Sequence, residues 1–262
     1  MHPFQSLSVP AGRLAVHWFG QSSFAFKAPD GTTVLVDPYF PHERPKTDFV
    51  HAEVPLREAD LRVDGVILTH NHLDHTHPEA LQRIHAAWPK ATYVGPHESA
   101  ANCKASGIPP ALFTTVEAGA TGRVGSLKVH WVYSKPPQGD PARGIKPPDV
   151  THLGVVIEAG PVRAYVTGDP INSFAELDEL IEPVRKLAPQ VGFLTNHPNE
   201  GEFPFFAGSA KMAQAIGLKI AYPAHYSCFC ARDYDPKEWA KAFVGNGVET
   251  RIMPYNSHAL LP

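Results

Sequence analysis

The chain has 262 residues, which is enough for one large α/β domain with a substantial buried core. Its 23 lysine and arginine residues against 26 aspartate and glutamate residues give a formal net charge of −3, so we expect no positive field for nucleic acid and no nucleic-acid partner. Three cysteines are an odd number for a chain of this size, and we find no secretory signal and no apolar run approaching ~18 residues, so we expect a cytoplasmic protein with reduced thiols and no membrane span.

The first part of the chain is rich in short β-type runs separated by turn residues. Three of these runs predict a meander of strands at residues 13–20, 23–28 and 32–40. A continuous apolar run at 66–68 predicts a strand that is buried on both faces. Thr76 and Glu79 resemble a capping box, which predicts that a helix begins here. A strand at 91–95 and a short helix that ends at Gly107 follow.

The second part of the chain changes from strands to an alternation of helices and strands. We predict strands at 112–116 and 126–133, a proline-rich loop at 135–149 and a β-hairpin at 154–170. The alternating elements that follow are predicted helices at 172–187, 207–216 and 236–244 and predicted strands at 191–195, 219–223 and 250–254. This pattern predicts an α/β fold with two layers of sheet and helices outside, in one domain covering residues 1–262.

Four histidines and an aspartate crowd the stretch LTHNHLDHTHP, directly after the buried strand at 66–68. His70, His72, Asp74 and His75 form the pattern H-x-H-x-D-H. Imidazole nitrogens and carboxylate oxygens are ligands for zinc and related divalent ions, and the end of a strand can hold them rigidly. The pattern therefore predicts a metal site. His77 lies outside the pattern, and we interpret it as a residue at the start of the helix.

The pattern H-x-H-x-D-H after an apolar strand resembles the signature of the metallo-β-lactamase superfamily. Further stretches are similar, in the right order, to the branch that contains L-ascorbate-6-phosphate lactonase and N-acylphosphatidylethanolamine phospholipase D. These stretches are HWFGQSSFAF at 17–26, VLVDPYF at 34–40, YVTGDP at 165–170 and AYPAHYSCF at 221–229. The resemblance spans almost the whole chain. It implies a four-layer αββα sandwich, with two mixed sheets and helices outside.

The resemblance also implies roles for the site residues. His70 and His72 would bind one metal ion, and Asp74 and His75 would bind a second one. Asp169 would bridge the two ions and His225 would complete the second site. The resemblance implies one or two divalent ions, with zinc as the first expectation and manganese or iron as alternatives.

Asp37 ends an apolar strand, like Asp169 and His225. As in the relatives, Asp37 could accept the free N–H of a ligand histidine, and the alternative is a simple Asp-Pro turn.

One ligand of the first metal is missing from its usual place. Relatives supply a third histidine after the strand that corresponds to 126–133, where this chain has Ser134-Lys135-Pro136. His130 lies too early, inside the strand. His152 could replace the missing ligand, because folding the hairpin about Gly160 places it opposite Gly168. His197, in the loop after 191–195, is the other candidate, and the third alternative is a position filled by water.

Other polar residues near these motifs have weaker patterns. Cys228 and Cys230 follow His225, but a Cys-x-Cys without a partner pair predicts buried structural thiols better than zinc ligands. The proline-rich loop carries Lys135, Arg143 and Lys146. These three cations either contact an anionic substrate or are solvated loop charges.

Together these features predict a metal-dependent hydrolase. A metal-bound hydroxide, oriented by Asp74 or Asp169, would attack an ester, lactone or phosphoester of a small anionic molecule, and Asp74 is the predicted catalytic residue. One alternative is an iron-dependent oxidoreductase of the same fold. Another is a catalytically silent metal-binding protein, which the missing third histidine would explain. The expected partner is a small-molecule substrate. Whether the protein forms a homo-oligomer is left open by the sequence.

Overall fold

The computed structural model describes residues 1–196 and 205–262 and contains two seven-stranded sheets. The strands of the first sheet are β1 Leu14–Trp18, β2 Phe24–Lys27, β3 Thr33–Val36, β4 Gly65–Ile67, β5 Thr92–Gly95, β6 Phe113–Thr115 and β14 Ser257–Leu261. The strands of the second sheet are β7 Thr121–Val124, β8 Leu127–Tyr133, β9 Leu153–Ala159, β10 Val162–Val166, β11 Val191–Thr195, β12 Ile220–Ala224 and β13 Glu249–Thr250.

The two sheets are mixed and follow the same plan. Their strand orders are β14-β1-β2-β3-β4-β5-β6 and β13-β12-β11-β10-β9-β8-β7. In the first sheet, the neighbours from β14 to β3 are antiparallel and those from β3 to β6 are parallel. In the second sheet, the neighbours from β7 to β10 are antiparallel and those from β10 to β13 are parallel. The predicted pair of mixed sheets is confirmed.

Six α-helices in the described part of the chain accompany the sheets. They are α1 Pro3–Ser6, α2 Pro78–Ala87, α3 Ser99–Ala105, α4 Asp178–Leu187, α5 Phe206–Ile216 and α6 Pro236–Lys241. None of the helices described in residues 1–196 and 205–262 is both long and apolar enough to cross a membrane.

Successive side chains of a strand point to opposite faces of its sheet, and this alternation divides the buried core into three layers. In β1, Val16 packs between the sheets while its neighbour Ala15 faces the opposite way, into the layer with Leu81 of α2. The second sheet packs its outer face against α4, α5 and α6 in the same manner, for example through Trp239 of α6. The order of layers is therefore helix, sheet, sheet, helix, as the resemblance implies.

An aromatic group joins the two sheets at the centre of the core. Phe193 of β11 is fully buried, and its ring centroid lies 4.9 Å from that of Phe24, 5.7 Å from that of Phe26 and 5.0 Å from that of Tyr222. We expect Phe193→Ala to lower the free energy of unfolding by about 3–5 kcal/mol, because it removes a large apolar contact and leaves a cavity. Urea unfolding at fixed metal concentration measures this loss. Phe113→Ala, at the partly exposed edge strand, is the control, and equal losses in both variants would contradict the central position of Phe193.

Several sequence predictions need correction. Helix α1 and strands β7 and β14 were not predicted. The strand predicted at 250–254 overlaps β13, Glu249–Thr250, at Thr250 alone, so this prediction is wrong for 251–254. The capping box is also wrong, because the N-cap of α2 is His77, whose side chain accepts a hydrogen bond from Ala80 N. Thr76 instead donates to the backbone oxygen of His70 at 2.7 Å. The interpretation of His77 as a helix-start residue is confirmed, and the single domain of residues 1–262 stays a prediction.

Candidate metal centre

Polar side chains from both sheets meet at one edge of the sandwich. The carboxyl ends of β3 and β4 in the first sheet and of β10 and β12 in the second sheet reach this edge, as ligand-binding ends of parallel strands do in open sheets. Since β9 is antiparallel to β10, its first residues reach the same edge. The residues that follow or precede these strand ends are Asp37, His70–His75, Asp169, His225 and His152.

The first group of candidate ligands contains His70, His72 and His152. One ring nitrogen of each histidine lies within 4.8 Å of one from each of the others. His70 Nε2 and His72 Nδ1 are 3.2 Å apart, and the ring of His152 stacks on that of His70 with centroids 4.2 Å apart. Nitrogens that share one zinc ion lie about 3.4 Å apart, because Zn–N bonds are ~2.0–2.1 Å long. The three rings therefore have the spacing of a metal site.

The register of the β9–β10 hairpin explains how His152 reaches the group. Val166 pairs with Val155, because both Gly160 and Pro161 belong to the turn. Extending this ladder aligns His152 with Asp169. The predicted alignment of His152 with Gly168 is therefore wrong by one residue. The alternative candidate, His197, lies outside the described residues, so its assignment stays a prediction. His130 lies inside β8, as expected. Its Nε2 is 3.3 Å from Glu158 Oε2.

The second group contains Asp74, His75 and His225, whose ligand atoms also lie within 4.8 Å of one another. Asp169 lies between the two groups. Its Oδ2 is 3.6 Å from His70 Nε2, while its Oδ1 is 3.5 Å from His75 Nε2 and 3.4 Å from His225 Nε2. The two oxygens of this carboxylate therefore face different groups, which is the arrangement that a bridging ligand requires.

The backbone around the centre is held in uncommon conformations. Gly168 has a φ of +57°, and a Cβ atom there would lie 2.6 Å from Leu153 O, so only glycine fits before Asp169. Asp37 and His225 also have positive φ angles, of 45° and 63°. Non-glycine residues adopt this region at a cost of about 1–3 kcal/mol, and such residues cluster at functional sites. The local backbone therefore supports a functional centre.

His70 and His152 are held in the neutral form. Burial, followed by the neighbouring His75, lowers the pKa of His70 well below its ordinary value. Burial and the nearby Lys135 lower the pKa of His152 to about 3. A neutral imidazole presents the lone pair that a metal ion needs.

The second group has the opposite electrostatics. Burial lowers the pKa of His75, but the carboxylates of Asp169, Asp74 and Asp37 outweigh it and raise that pKa to about 10. For Asp169, burial disfavours the charge, yet His225 and His75 hold its pKa at about 2. These carboxylates thus favour a positive charge at the position of the second group.

Asp37 contacts the outer side of His75. Its Oδ2 lies 2.7 Å from His75 Nδ1, and its Oδ1 accepts a hydrogen bond of 2.7 Å from Thr69 N. His75 Nε2 is left to face the centre. The predicted contact of Asp37 with a ligand histidine is therefore present, and its role in metal binding stays a prediction.

We expect Asp37→Asn to weaken binding of the second metal about 10- to 100-fold, because a carboxylate partner fixes the tautomer of a ligand histidine and makes the ring more basic. Zinc titration against a chromophoric chelator measures this change. Asp64→Asn is the matched control, since Asp64 accepts a hydrogen bond of 2.9 Å from Thr33 N at the other end of the same strands. Equal affinities in wild type and Asp37→Asn would exclude this role.

Gln21 is a residue of the centre that the sequence analysis missed. It is buried, it has a φ of 52°, and its Nε2 lies 3.0 Å from Asp74 Oδ2, 3.3 Å from His75 Nε2 and 3.1 Å from His225 Nε2. Its backbone also pairs with Tyr226, directly after His225. The amide of Gln21 thus contacts all three candidate ligands of the second group, and the only sequence signal was its place in the stretch HWFGQSSFAF.

Two cavities lined by described residues adjoin the centre. One, of about 710 Å³, is lined by His72, Asp149 and Lys146, and the other, of about 410 Å³, by Asp74. The exposed Arg232 lines both cavities and was not singled out in the sequence, although it lies only seven residues after His225.

The three cations proposed for substrate binding have different positions. Lys135 is buried close enough to His152 to lower its pKa, and Lys146 lines the larger cavity. Arg143 is not among the residues that line that cavity, and it donates instead to Glu176 O at 3.0 Å. The geometry brings Lys135 and Lys146 to the centre and leaves Arg143 outside it.

The cysteines lie outside both ligand groups. Cys228 is buried, as predicted, while Cys230 is exposed, so its prediction as a buried thiol is wrong. Cys230 begins a short 3₁₀ turn, 230–232, that carries it to the surface. The candidate metal clusters found among the described residues contain histidine and aspartate only.

The chemistry of the residues fits a divalent metal ion. His152 has 1% of its surface exposed, and neither of its ring nitrogens has a hydrogen-bond partner among the described residues. A buried polar atom without a partner costs about 1–3 kcal/mol, which a metal ion bound to that nitrogen would offset. The donors nearby are imidazoles and carboxylates, the set that zinc, manganese and iron accept.

Comparison with known proteins identifies the family. A family model described as "Beta-lactamase superfamily domain" matches residues 15–160, more than half of the chain. The chain therefore belongs to the β-lactamase superfamily. It is also similar to a UPF0173 metal-dependent hydrolase from Herpetosiphon aurantiacus, with 25% identity over 241 residues that cover 85% of this chain and 86% of the relative. The predicted class of enzyme, a metal-dependent hydrolase of the metallo-β-lactamase fold, is confirmed.

Solved structures show the same fold. Igni18, a metallo hydrolase from the archaeon Ignicoccus hospitalis, superposes with a TM-score of 0.67 and 20% identity, covering 95% of this chain and 99% of its own. CmlA, a diiron β-hydroxylase from Streptomyces venezuelae, superposes with a TM-score of 0.64 and 16% identity, covering 96% of this chain and 54% of its own.

Proposed function

We propose that this chain hydrolyses a small anionic ester, lactone or phosphoester at a centre of two divalent metal ions. His70, His72 and His152 would hold the first ion, and Asp74, His75 and His225 the second. Asp169 would bridge the ions. The observation that carries the proposal is the position of Asp169, whose Oδ2 faces His70 and whose Oδ1 faces His75 and His225.

When bound, divalent ions would lower the pKa of water at this centre and polarise the oxygen of the bond to be broken. Zinc is the first expectation, because histidine nitrogen and aspartate oxygen are among its usual ligands.

The chain's own residues would orient the reaction. Asp74 would accept the proton of the attacking water, because its carboxylate is only partly buried and borders the cavity of about 410 Å³. Gln21 Nε2 donates to Asp74 Oδ2 at 3.0 Å, which would hold that carboxylate in place.

Charge near the cavities supports a small anionic substrate. Lys146 and Arg232 line the cavity beside His72, and Lys135 is buried close enough to His152 to lower its pKa. Cationic side chains at the mouth of a site attract and orient anions.

The cytoplasmic location of the protein and its assembly into a homo-oligomer stay predictions.

An iron-dependent oxidoreductase is the second candidate. The observation that favours it is the likeness in fold to CmlA, which is described as a diiron β-hydroxylase. The ligand set of histidines and carboxylates also suits iron. Elemental analysis of protein purified without added metal distinguishes the candidates, since iron in place of zinc or manganese would favour the oxidoreductase.

Hydrolysis with controlled metal content tests the proposed function. We expect wild-type protein to cleave at least one member of a panel of ester, lactone and phosphodiester substrates, to lose that activity with a chelator and to regain it with zinc or manganese. Metal-loaded protein that cleaves none of them would contradict the proposal and favour a silent metal-binding protein.

A further inference from the structure

The proline-rich loop 135–149 ends against the first group of candidate ligands. Asp149 Oδ2 accepts a hydrogen bond of 2.9 Å from His72 Nε2, and Asp149 Oδ1 lies 3.7 Å from His152 Nε2. The carboxylate itself is largely exposed, with 67% of its side chain accessible. An exposed aspartate on a long loop thus contacts a histidine of the centre.

The two ring nitrogens of His72 face different partners. Nδ1 lies 3.2 Å from His70 Nε2, on the inner side, while Nε2 faces Asp149. A histidine binds one ion through one nitrogen, so an ion shared with His70 takes Nδ1 and leaves Nε2–H to donate a hydrogen bond. His75 has the corresponding arrangement, with Nε2 toward the centre and Nδ1 toward Asp37.

We propose that Asp149 is a positioning residue for the first metal, holding His72 through its Nε2 as Asp37 holds His75 through its Nδ1. This inference rests on the proposed metal centre. Ligand histidines usually donate their second N–H to a carboxylate or carbonyl, which fixes the tautomer and the orientation of the ring.

Hydrogen bonds on either side of His152 hold the backbone that follows Asp149. Glu98 Oε1 accepts hydrogen bonds of 2.9 Å from both the N and the Oγ1 of Thr151. Leu153 N donates to Thr69 O at 3.0 Å. Between these two contacts lies the buried His152. The segment that carries Asp149 is therefore anchored to the turn before α3 and to the strand end that carries His70.

The same loop lines the larger cavity through Lys146, Pro147 and Pro148, and Asp149 and His72 line it as well. The contact between Asp149 and His72 therefore lies at the wall of this cavity.

Zinc titration of three variants and an NMR measurement test the role. We expect Asp149→Ala to weaken the first zinc site about 10- to 100-fold in competition with a chromophoric chelator, and Asp149→Glu to restore part of that affinity. Asp140→Ala is the matched control, because Asp140 is a carboxylate of the same loop that contacts Ala142 N and Arg143 instead of a histidine. His72→Ala identifies the ring N–H signal of His72 in the proton NMR spectrum of zinc-loaded protein.

The NMR spectrum distinguishes a specific effect of Asp149 on His72 from a general effect on the order of loop 135–149. We expect the Nε2–H signal of His72 to be protected from exchange in wild type and in Asp140→Ala, and to be lost by rapid exchange in Asp149→Ala. Wild-type affinity and an unchanged signal in Asp149→Ala would overturn the inference and leave the proposed function intact. Equal weakening by Asp140→Ala would also overturn it, since loop order would then be the cause. A wild-type protein that binds no zinc would overturn the metal centre itself.

Discussion

Replacement of Asp74 by asparagine is expected to lower hydrolytic turnover by at least about 100-fold, the usual contribution of a general base. Asp74 Oδ2 lies 3.8 Å from His75 Nε2 and 3.6 Å from His225 Nε2, and the side chain borders a cavity open to substrate. An amide has the same shape but cannot accept the proton and is a poorer metal ligand. Turnover on the substrate that wild type cleaves best measures the loss.

The control for Asp74→Asn is Asp178→Asn, which changes an exposed carboxylate at the start of α4. Circular dichroism and thermal unfolding of metal-loaded protein show whether each variant keeps its fold. A folded Asp74→Asn variant with wild-type turnover would remove Asp74 from the reaction and leave it, at most, as a ligand.

The second large effect is expected from His152→Ala, which should weaken the first metal site by at least about 10-fold, since even residues that only support a ligand contribute that much. The side chain is buried against His70, with ring centroids 4.2 Å apart, and its nitrogens have no other hydrogen-bond partner among the described residues. Alanine removes the ligand and leaves His70 and His72 as a pair. Zinc titration by calorimetry gives the affinity and the number of sites.

His130→Ala is the matched histidine control, because His130 is also buried but lies within strand β8 and outside both groups of candidate ligands. We expect this variant to bind metal as wild type does. If His152→Ala binds metal with wild-type affinity, another residue or water completes the first site, and His197 becomes the candidate to substitute next.

The part of the centre that is local in sequence could be predicted from sequence alone. His70, His72, Asp74 and His75 lie within six consecutive positions after a strand, so their spacing already places them together. Residues from distant segments were harder to assign. His152 remained one of two candidates, because only the hairpin register aligns it with Asp169.

Gln21 and Asp149 were missed for a related reason. Gln21 lies 53 positions before Asp74, and Asp149 lies 77 positions after His72, so no spacing in the sequence associates them. Their contacts depend on how the two sheets face each other and on where the proline-rich loop ends. An isolated glutamine or loop aspartate has no pattern of its own to indicate such a contact.

The fold was predictable where hydrophobic patterns are strong. The buried strands β4 and β9 contain continuous runs of branched apolar residues, and β10, VRAYV, is rich in residues with high β propensity. The strands β7, TGRV, and β14, SHALL, have weak β propensity and lie at sheet edges. Strand β14 forms because its backbone pairs with β1 along five residues, a long-range contact that the local sequence does not reveal.

Anomalous diffraction from crystals of the metal-loaded protein, recorded at the absorption edge of the bound metal, shows whether and where this centre binds metal ions. We expect two anomalous peaks, one bound by His70, His72 and His152 and the other by Asp74, His75 and His225, with Asp169 in contact with both. A fully loaded crystal with no peak at this edge of the sheets, or with peaks bound by other residues, would contradict this expectation.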